Sequence, residues 1–555
     1  MNTQSSAKLR YLPPLILALI AFVVRFAYSH FERTVWGDEP FYLWLGRNWF
    51  RGDGYTFAFS GHWDYHHTPG YPFITATLTF LTQDMRRASE WSYILFGTLL
   101  VVVVYALATR IYDWRSGFAA GLITALAPAT ALMPLYWGTM TEPPYLALAF
   151  TGILFAHRAY RRFNFLDILF AGIFLAFAYY VRPESIVFWG AMGLVLGLRG
   201  LAAPPRLRNL AYPAFLGFVF LLLLFPYLYQ VRQATGKWTV SQKVGAHFAT
   251  AKGLATGRFQ QFDIETWGLD SAGRNVRFFS TETADASAAS YILSDPIGYA
   301  KVVYGNARKL ARQLVSPRLL PAFGLLFLGL ALFTRAWNRD RGWDELFLAA
   351  TLLTGISFIF FFVQERYLAP LIPPLFIWFG HGLIWMGQWL GRSARNLIKG
   401  ENRPIGAWED VWVRRAVWIP LILAGLYLLA ITPAQIAQAT NPGSTRPAHR
   451  LAAQALSEYV QPGEIVMARY VSIPFEAGAE WVPTPAADVD AVLRYARLKN
   501  ARYWVVDALE ARILRPQFLP LIEDPTHPPP GLEYLIQVDD GQGPVVIYRL
   551  KFGEE

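Results

Sequence analysis

The chain has 555 residues, of which 54% are hydrophobic and 16% aromatic. Apolar stretches near membrane-crossing length recur along it, a pattern that soluble domains do not usually show. The formal net charge of +11 does not point to a nucleic-acid partner, because the basic residues fall in short loops between apolar runs, where cytoplasmic retention places them. With no cysteine, structural disulfides and thiol chemistry are excluded.

The first apolar stretch, Leu12 to Val24, follows Lys8 and Arg10. No small-x-small cleavage site follows it, and Arg25 and Phe26 continue towards Tyr28, so the chain is expected to begin with an uncleaved helix. Further spans are predicted over 90–109, 117–133, 143–158, 166–181, 185–199, 210–230, 318–334, 345–362, 368–386 and 415–432. With residues 11–29 that makes eleven, several of them short enough to need tilt or extended flanks. A cytoplasmic N-terminus puts Arg110 and Arg115, Arg158, Arg161 and Arg162, Arg199, Arg206 and Arg208, Arg335, Arg339 and Arg341, and Arg392, Arg395 and Lys399 in inside loops. The short outside loops near 134–142, 182–184 and 363–367 carry few basic residues. The apolar segment 70–83 is too short to cross, and a crossing there would reverse every later loop; it reads as a re-entrant or interfacial helix.

The expected fold is a polytopic α-helical membrane protein with about eleven transmembrane helices. A body over 1–435 includes outer loops 30–89 and 231–317, and a small extracytoplasmic α/β domain follows over 436–555. In that domain the alternation of periods predicts a helix over 446–460, a strand from Glu464 to Tyr470, a helix from Asp488 to Leu498, and β-rich segments at Arg502 to Val506 and Val545 to Leu550.

Unusual polar residues gather at the predicted outer level, where an ionisable group is costly and marks a candidate functional site. In the segment Trp36 to Phe50, Pro40 suits the first turn of a helix, which puts Asp38 or Glu39 at or just before the N-cap. Phe41, Leu45 and Trp49 share one face, expected to lie among lipid headgroups. A carboxylate here can take a proton from an acceptor hydroxyl, or the pair can be a helix cap with a solvated neighbour. His66 and His67 close the same loop and can bind phosphate, steady a carboxylate or sit inert at the interface; no standard metal-ligand spacing accompanies them. Glu142 starts a span and either complements the helix dipole or orients a substrate. Arg182, in the turn Arg182-Pro183-Glu184, can clamp a phosphate or pair with Glu184. Glu365 and Arg366 occupy a corresponding turn, Arg366 being a second phosphate candidate. Arg25 is a third, or a snorkelling side chain. Lys243, in the long loop, can meet a diphosphate or an acidic sugar, or simply be solvated.

In order and on one side, Asp38-Glu39, Thr141-Glu142-Pro143, Arg182-Pro183-Glu184 and Glu365-Arg366-Tyr367 resemble the motifs of the GT-C superfamily of integral-membrane glycosyltransferases, while His67-Thr68-Pro69 stands where the likeness implies a His-Pro-Pro or Lys-Pro-Pro motif and departs from both. The likeness is to the branch of protein O-mannosyltransferases and lipid A aminoarabinose transferases, and it covers about residues 10–435. It implies inverting transfer of a sugar from a polyprenyl-phosphate donor, at the outer face of the plasma membrane, to a lipid, envelope glycan or protein. Asp38 would be the base or position the acceptor, and Glu39 would support it. Arg182, Arg366 and Lys243 would stabilise the departing phosphate. No metal cofactor is implied in this branch. The competing expectation is a transporter or flippase, for which many spans with buried charge would also serve.

Overall fold

The computed structural model describes residues 3–162, 164–240, 253, 257–280, 292–334, 336–399, 411 and 415–552. The first ten helices are α1 (Thr3–Ser29), α2 (Glu39–Arg51), α3 (Gly70–Thr82), α4 (Met85–Ile111), α5 (Trp114–Leu126), α6 (Pro128–Ala131), α7 (Glu142–Arg162), α8 (Phe165–Val181), α9 (Ser185–Ala202) and α10 (Arg206–Thr235).

Length and apolarity decide which helices can cross a bilayer, and about 20 residues are needed to span roughly 30 Å of hydrocarbon. Among the described residues seven stretches qualify: Tyr11–Ser29, Met85–Ile111, Ser185–Ala202, Arg206–Thr235, Arg339–Phe360, Glu365–Leu397 and Ala416–Ala439. Trp114–Leu126 and Pro128–Leu135, bent by 64°, bring the number to eight if they form one span. The expected eleven is therefore corrected to seven or eight, for four separate reasons. The stretch 117–133 breaks ahead of Pro128. The stretch 143–158 becomes α7, which carries Glu142, His157, Arg158, Arg161 and Arg162. The stretch 166–181 is the 17-residue α8, and 318–334 shortens to the 10-residue helix Gly324–Phe333. Hydropathy averaged over a window registers neither the break at Pro128 nor the short reach of the last two helices.

The break at Pro128 also accounts for Arg25. Proline has no N–H to give the Thr124 carbonyl. That carbonyl accepts instead from Arg25 Nη2 at 3.3 Å and from Thr130 Oγ1 at 2.6 Å. Arg25 is fully buried and also bonds the Ala21 and Thr130 carbonyls, so it neither snorkels nor reaches a phosphate.

After residue 439 the chain forms an α/β domain. Strands β1 (Ile465–Ala468), β2 (Glu480–Pro483), β3 (Ala501–Asp507), β4 (Leu532–Val538) and β5 (Val545–Leu550) make one sheet in the order β2-β1-β3-β5-β4. β1 runs parallel to β2 and β3, while β5 is antiparallel to β3 and β4. Helices Pro447–Ser457 and Val489–Leu498 match the predicted ones closely. Strands β2 and β4 have no counterpart in the prediction; β2 ends on Pro483, which reads locally as punctuation.

Helix α2 joins the two parts. Its Tyr42 and Leu43 belong to the core of the helical body, whereas Phe41, Trp44 and Leu45 belong to the core of the α/β domain. The expectation that Phe41 and Leu45 face headgroups is thus overturned, because the α/β domain covers that face; Trp49 alone of the three is exposed, at 36%. Part of the long loop also joins the domain core, through Trp267, Val276 and Phe279.

The body has two chemically distinct ends. Helix α7 begins at Glu142 and ends at Arg161 and Arg162, about 30 Å away at the usual helical rise. At the far end Arg158 meets Asp167, Arg161 meets Asp344 and Arg341 meets Glu345. Arg158, Arg161 and Arg341, from the predicted inside loops, therefore lie opposite the end that carries Asp38, Arg182 and Arg366.

The approach to α2 is set by two glycines. Gly37 and Gly138 both have positive φ, +67° and +73°, and a Cβ on Gly37 would stand 2.7 Å from the Gly138 carbonyl oxygen. Gly37→Ala is expected to lower stability by at least about 1–2 kcal/mol from the left-handed backbone alone, read as a reduced midpoint of thermal unfolding of the detergent-purified protein. An unchanged midpoint would show that this approach is not tight.

Candidate functional site

Asp38 is the N-cap residue of α2, yet its side chain makes no capping bond. The cap is held from the backbone: the N–H groups of Asp38 and Glu39 both donate to the Gly138 carbonyl, at 2.8 and 2.9 Å. The Asp38 carboxylate is left half-exposed and accepts from Arg366 Nη2 at 3.1 Å.

Glu39 points elsewhere. It is fully buried, where Oε2 accepts from Arg33 Nη1 at 2.8 Å and Oε1 from Ser89 Oγ at 2.8 Å. Ser89 in turn bonds the Tyr71 hydroxyl at 2.9 Å. The adjacent carboxylates thus serve different surroundings: Glu39 anchors the start of α2 inside the body, and Asp38 faces a cavity.

That cavity, about 190 Å³, is lined by Asp38, Tyr42, His66, Arg182, Glu184 and Arg366, with Phe358, Phe361, Phe362 and Tyr367 among its apolar walls. Arg182 is heavily engaged, with Nη1 donating to Glu142 at 2.5 Å and Nη2 to Glu184 at 3.0 Å. Glu142 also accepts from Thr139 Oγ1 at 2.6 Å and stands behind Arg182 rather than in the cavity lining. Arg366 is less committed. Besides Asp38 it donates to the Tyr367 hydroxyl at 3.1 Å, and its buried Nε has no hydrogen-bond partner among the described residues. Glu365 turns away to accept from Arg318 at 2.8 Å. Lys243 lies outside the described residues.

Asp38 also lines a second cavity, of about 290 Å³, between α2 and the α/β domain, together with His67, Trp36, Trp267, Arg446 and Arg469. The two loop histidines therefore divide. His66 lines the first cavity, its ring edge-on to Phe278 at 4.6 Å. His67 is wedged between Phe41 and Tyr42, with its backbone N–H and its Nδ1 both on Asp64 Oδ2, at 2.8 and 3.0 Å. Burial pushes the Asp64 carboxyl upwards, but its attraction to His67, the bonds from that ring and backbone, and His66 outweigh this and hold it down at about 2.

Of the candidates from sequence, the structure brings Asp38, His66, Arg182, Glu184 and Arg366 to one cavity, with Glu142 directly behind. It places Glu39, His67 and Glu365 outside that lining. Sequence reasoning missed Asp64, although an Asp three residues before His67 was a usable signal. It also missed Arg33, the aromatic wall at Phe358, Phe361 and Phe362, which was absorbed into a span, and the whole second cavity. Among the described residues no group of three or more His, Cys, Asp or Glu side chains is arranged to hold a metal ion.

A family model described as dolichyl-phosphate-mannose-protein mannosyltransferase matches residues 66–229. No curated protein matches the sequence. The apo structure of ArnT from Cupriavidus metallidurans is similar with a TM-score of 0.57 at 16% identity, covering 98% of each chain. The same protein bound to undecaprenyl phosphate gives 0.56 at 15% identity, covering 96% of this chain and 97% of that one. The archaeal oligosaccharyltransferase AglB from Archaeoglobus fulgidus, in complex with an inhibitory peptide and a dolichol-phosphate, gives 0.56 at 13% identity, covering 90% of this chain and 69% of its own. At these identities the likeness is one of fold: a multi-pass helical body followed by a C-terminal α/β domain.

The depressed Asp64 carboxyl makes a pH prediction. The folded state favours the ionised form, so its contribution is complete above the usual carboxylate range near pH 4 and is lost as pH falls through about 2. Asp64→Asn is expected to cost about 1–3 kcal/mol near pH 7, measured by denaturant unfolding, with the gap to wild type closing as the pH is lowered through that interval. A gap that stays constant with pH would contradict this assignment.

Proposed function

We propose that the protein is a glycosyltransferase that moves a sugar from a polyprenyl-phosphate donor to an extracytoplasmic acceptor with inversion at the sugar carbon. The observation that carries this reading is the position of Asp38, a carboxylate not used as a helix cap and shared between two cavities. The first cavity offers a phosphate the guanidinium of Arg366, whose buried Nε has no hydrogen-bond partner among the described residues, and the family match and the ArnT fold both point to a lipid-phosphate carrier. The second lies against the α/β domain, where an acceptor would arrive.

In this mechanism an acceptor hydroxyl enters from the second cavity and its oxygen forms a bond to the sugar carbon. The bond from that carbon to the phosphate oxygen breaks, and its electron pair leaves with the polyprenyl phosphate. The hydroxyl proton passes to the Asp38 carboxylate. Arg366 meets the negative charge as it gathers on the phosphate. Arg182, already held by Glu142 and Glu184, supports the position of that cavity wall, and Glu184 and His66 bound the space for the sugar. Glu39 acts on Asp38 through the shared helix start. Lys243 is a further phosphate candidate from the long loop.

The isoprenoid tail has an apolar groove available. A cavity of about 350 Å³ lined by Trp49, Phe73, Ile74, Phe96, Phe177 and Tyr180 lies across the seam between Thr68–Gly70 and Val181–Arg182 from the first cavity. The orientation proposed is the one in which the arginine-rich end is cytoplasmic, which puts both cavities and the α/β domain outside, at the plasma membrane.

The test is sugar transfer in sealed right-side-out vesicles, given labelled polyprenyl-phosphate sugars in the bilayer and acceptor outside. Asp38→Asn is expected to reduce transfer by about 10²–10⁴-fold with donor binding retained, and Arg366→Gln to weaken both donor binding and turnover. Full transfer by Asp38→Asn would remove Asp38 as the base. Movement of the donor across the bilayer without sugar release would support transport instead.

A further inference from the structure

The second cavity has a composition of its own. Aromatic rings from Trp36, Trp267 and Tyr470 line it together with the guanidinium groups of Arg446 and Arg469. Flat rings suit the C–H faces of a sugar, and a guanidinium offers a planar fork to a carboxylate or phosphate. Arg469 lies over the Trp267 ring at 3.6 Å, and Arg446 stands 5.0 Å from the Tyr470 ring and 5.8 Å from the Trp36 ring.

The charges around this cavity do not balance within the described residues. Arg469 and Arg515 share Asp263, at 3.3 and 2.7 Å, and Arg515 also meets Glu510 at 2.6 Å. Burial pushes the Glu510 carboxyl up to about 7, which weakens the negative side further. Asp38 already pairs with Arg366, and Asp507 with His449. Arg446 has no carboxylate partner among the described residues, and its backbone is held in the left-handed region at φ +48°. A non-glycine residue keeps that conformation only where its surroundings fix it. Two buried N–H donors among the lining residues, Trp36 Nε1 and Arg469 Nε, also lack a hydrogen-bond partner among the described residues.

We infer that the acceptor bound here is an anionic saccharide, with its ring against the Trp36 and Tyr470 side, its carboxylate or phosphate on Arg446, and a free hydroxyl turned towards Asp38. The inference rests on the proposed transfer reaction for the word acceptor, but the binding preference stands independently of any donor. A neutral sugar would use the rings and leave Arg446 uncompensated.

The test is isothermal titration calorimetry on the full-length protein in detergent, with no donor present. The probes are methyl glucuronide, glucose 6-phosphate, methyl glucoside and an acidic tetrapeptide. Either charged sugar is expected to bind at least about ten-fold tighter than methyl glucoside, and a preference for one over the other identifies the anion as carboxylate or phosphate. Arg446→Gln should remove the advantage and Arg446→Lys should restore part of it, with a single cooperative thermal unfolding transition retained in both, because the Arg446 side chain supports no ion pair among the described residues. Equal binding of charged and neutral sugars, binding of neither, an advantage that survives Arg446→Gln, or binding of the peptide alone overturns the inference. Transfer that fails while this preference holds would instead count against the proposed reaction.

Discussion

The carbonyl of Gly138 accepts two backbone N–H groups, those of Asp38 and Glu39, and the arrangement of the site follows from that one junction. It satisfies the start of α2 without help from a side chain, so the Asp38 carboxylate is released from capping. The close approach is open to glycine at 37 and 138 and to little else. Glu39 then locks the same turn from inside by pairing with Arg33. A buried pair of this kind is a poor source of net stability but a strong constraint on geometry, because separating the partners leaves an uncompensated charge. Asp38 is therefore presented from a rigid helix end, which is where a group that must receive a proton in one defined geometry is best placed.

The same helix is the wedge between two cores. Its alternate faces bury Tyr42 and Leu43 in the helical body and Phe41, Trp44 and Leu45 in the α/β domain. Because Asp38 sits at the tip of this wedge, it borders a cavity on each side. The first has an arginine whose Nε has no hydrogen-bond partner among the described residues, with an apolar groove nearby; the second has aromatic rings and an arginine with no carboxylate partner among those residues. The proposed transfer between a lipid-borne donor and a separate acceptor would use this separation.

Much of the site was legible because it is local in sequence. Asp38, Glu142, Arg182, Glu184 and Arg366 each lie at a helix end, and charges at the ends of apolar runs stand out without any knowledge of packing. What was not legible depends on distant partners. Phe41 and Leu45 look interfacial until a domain some 400 residues later in the chain covers them. The two adjacent acids look equivalent until Arg33 and Ser89 claim one of them. The number of spans was overestimated because hydropathy registers neither the bend at Pro128 nor the short reach of Phe165–Val181 and Gly324–Phe333. The second cavity draws on residues from 36 to 472, and no local pattern announces it.

The most direct test of the central claim, that Asp38 divides a lipid-phosphate cavity from an acceptor cavity, is a cryo-electron microscopy map of the full chain in lipid nanodiscs with bound polyprenyl phosphate. The account predicts phosphate density in the first cavity, roughly 3 Å from the Arg366 guanidinium, with the second cavity clear. Phosphate density in the second cavity, or at the opposite end beside Arg161 and Asp344, would contradict it.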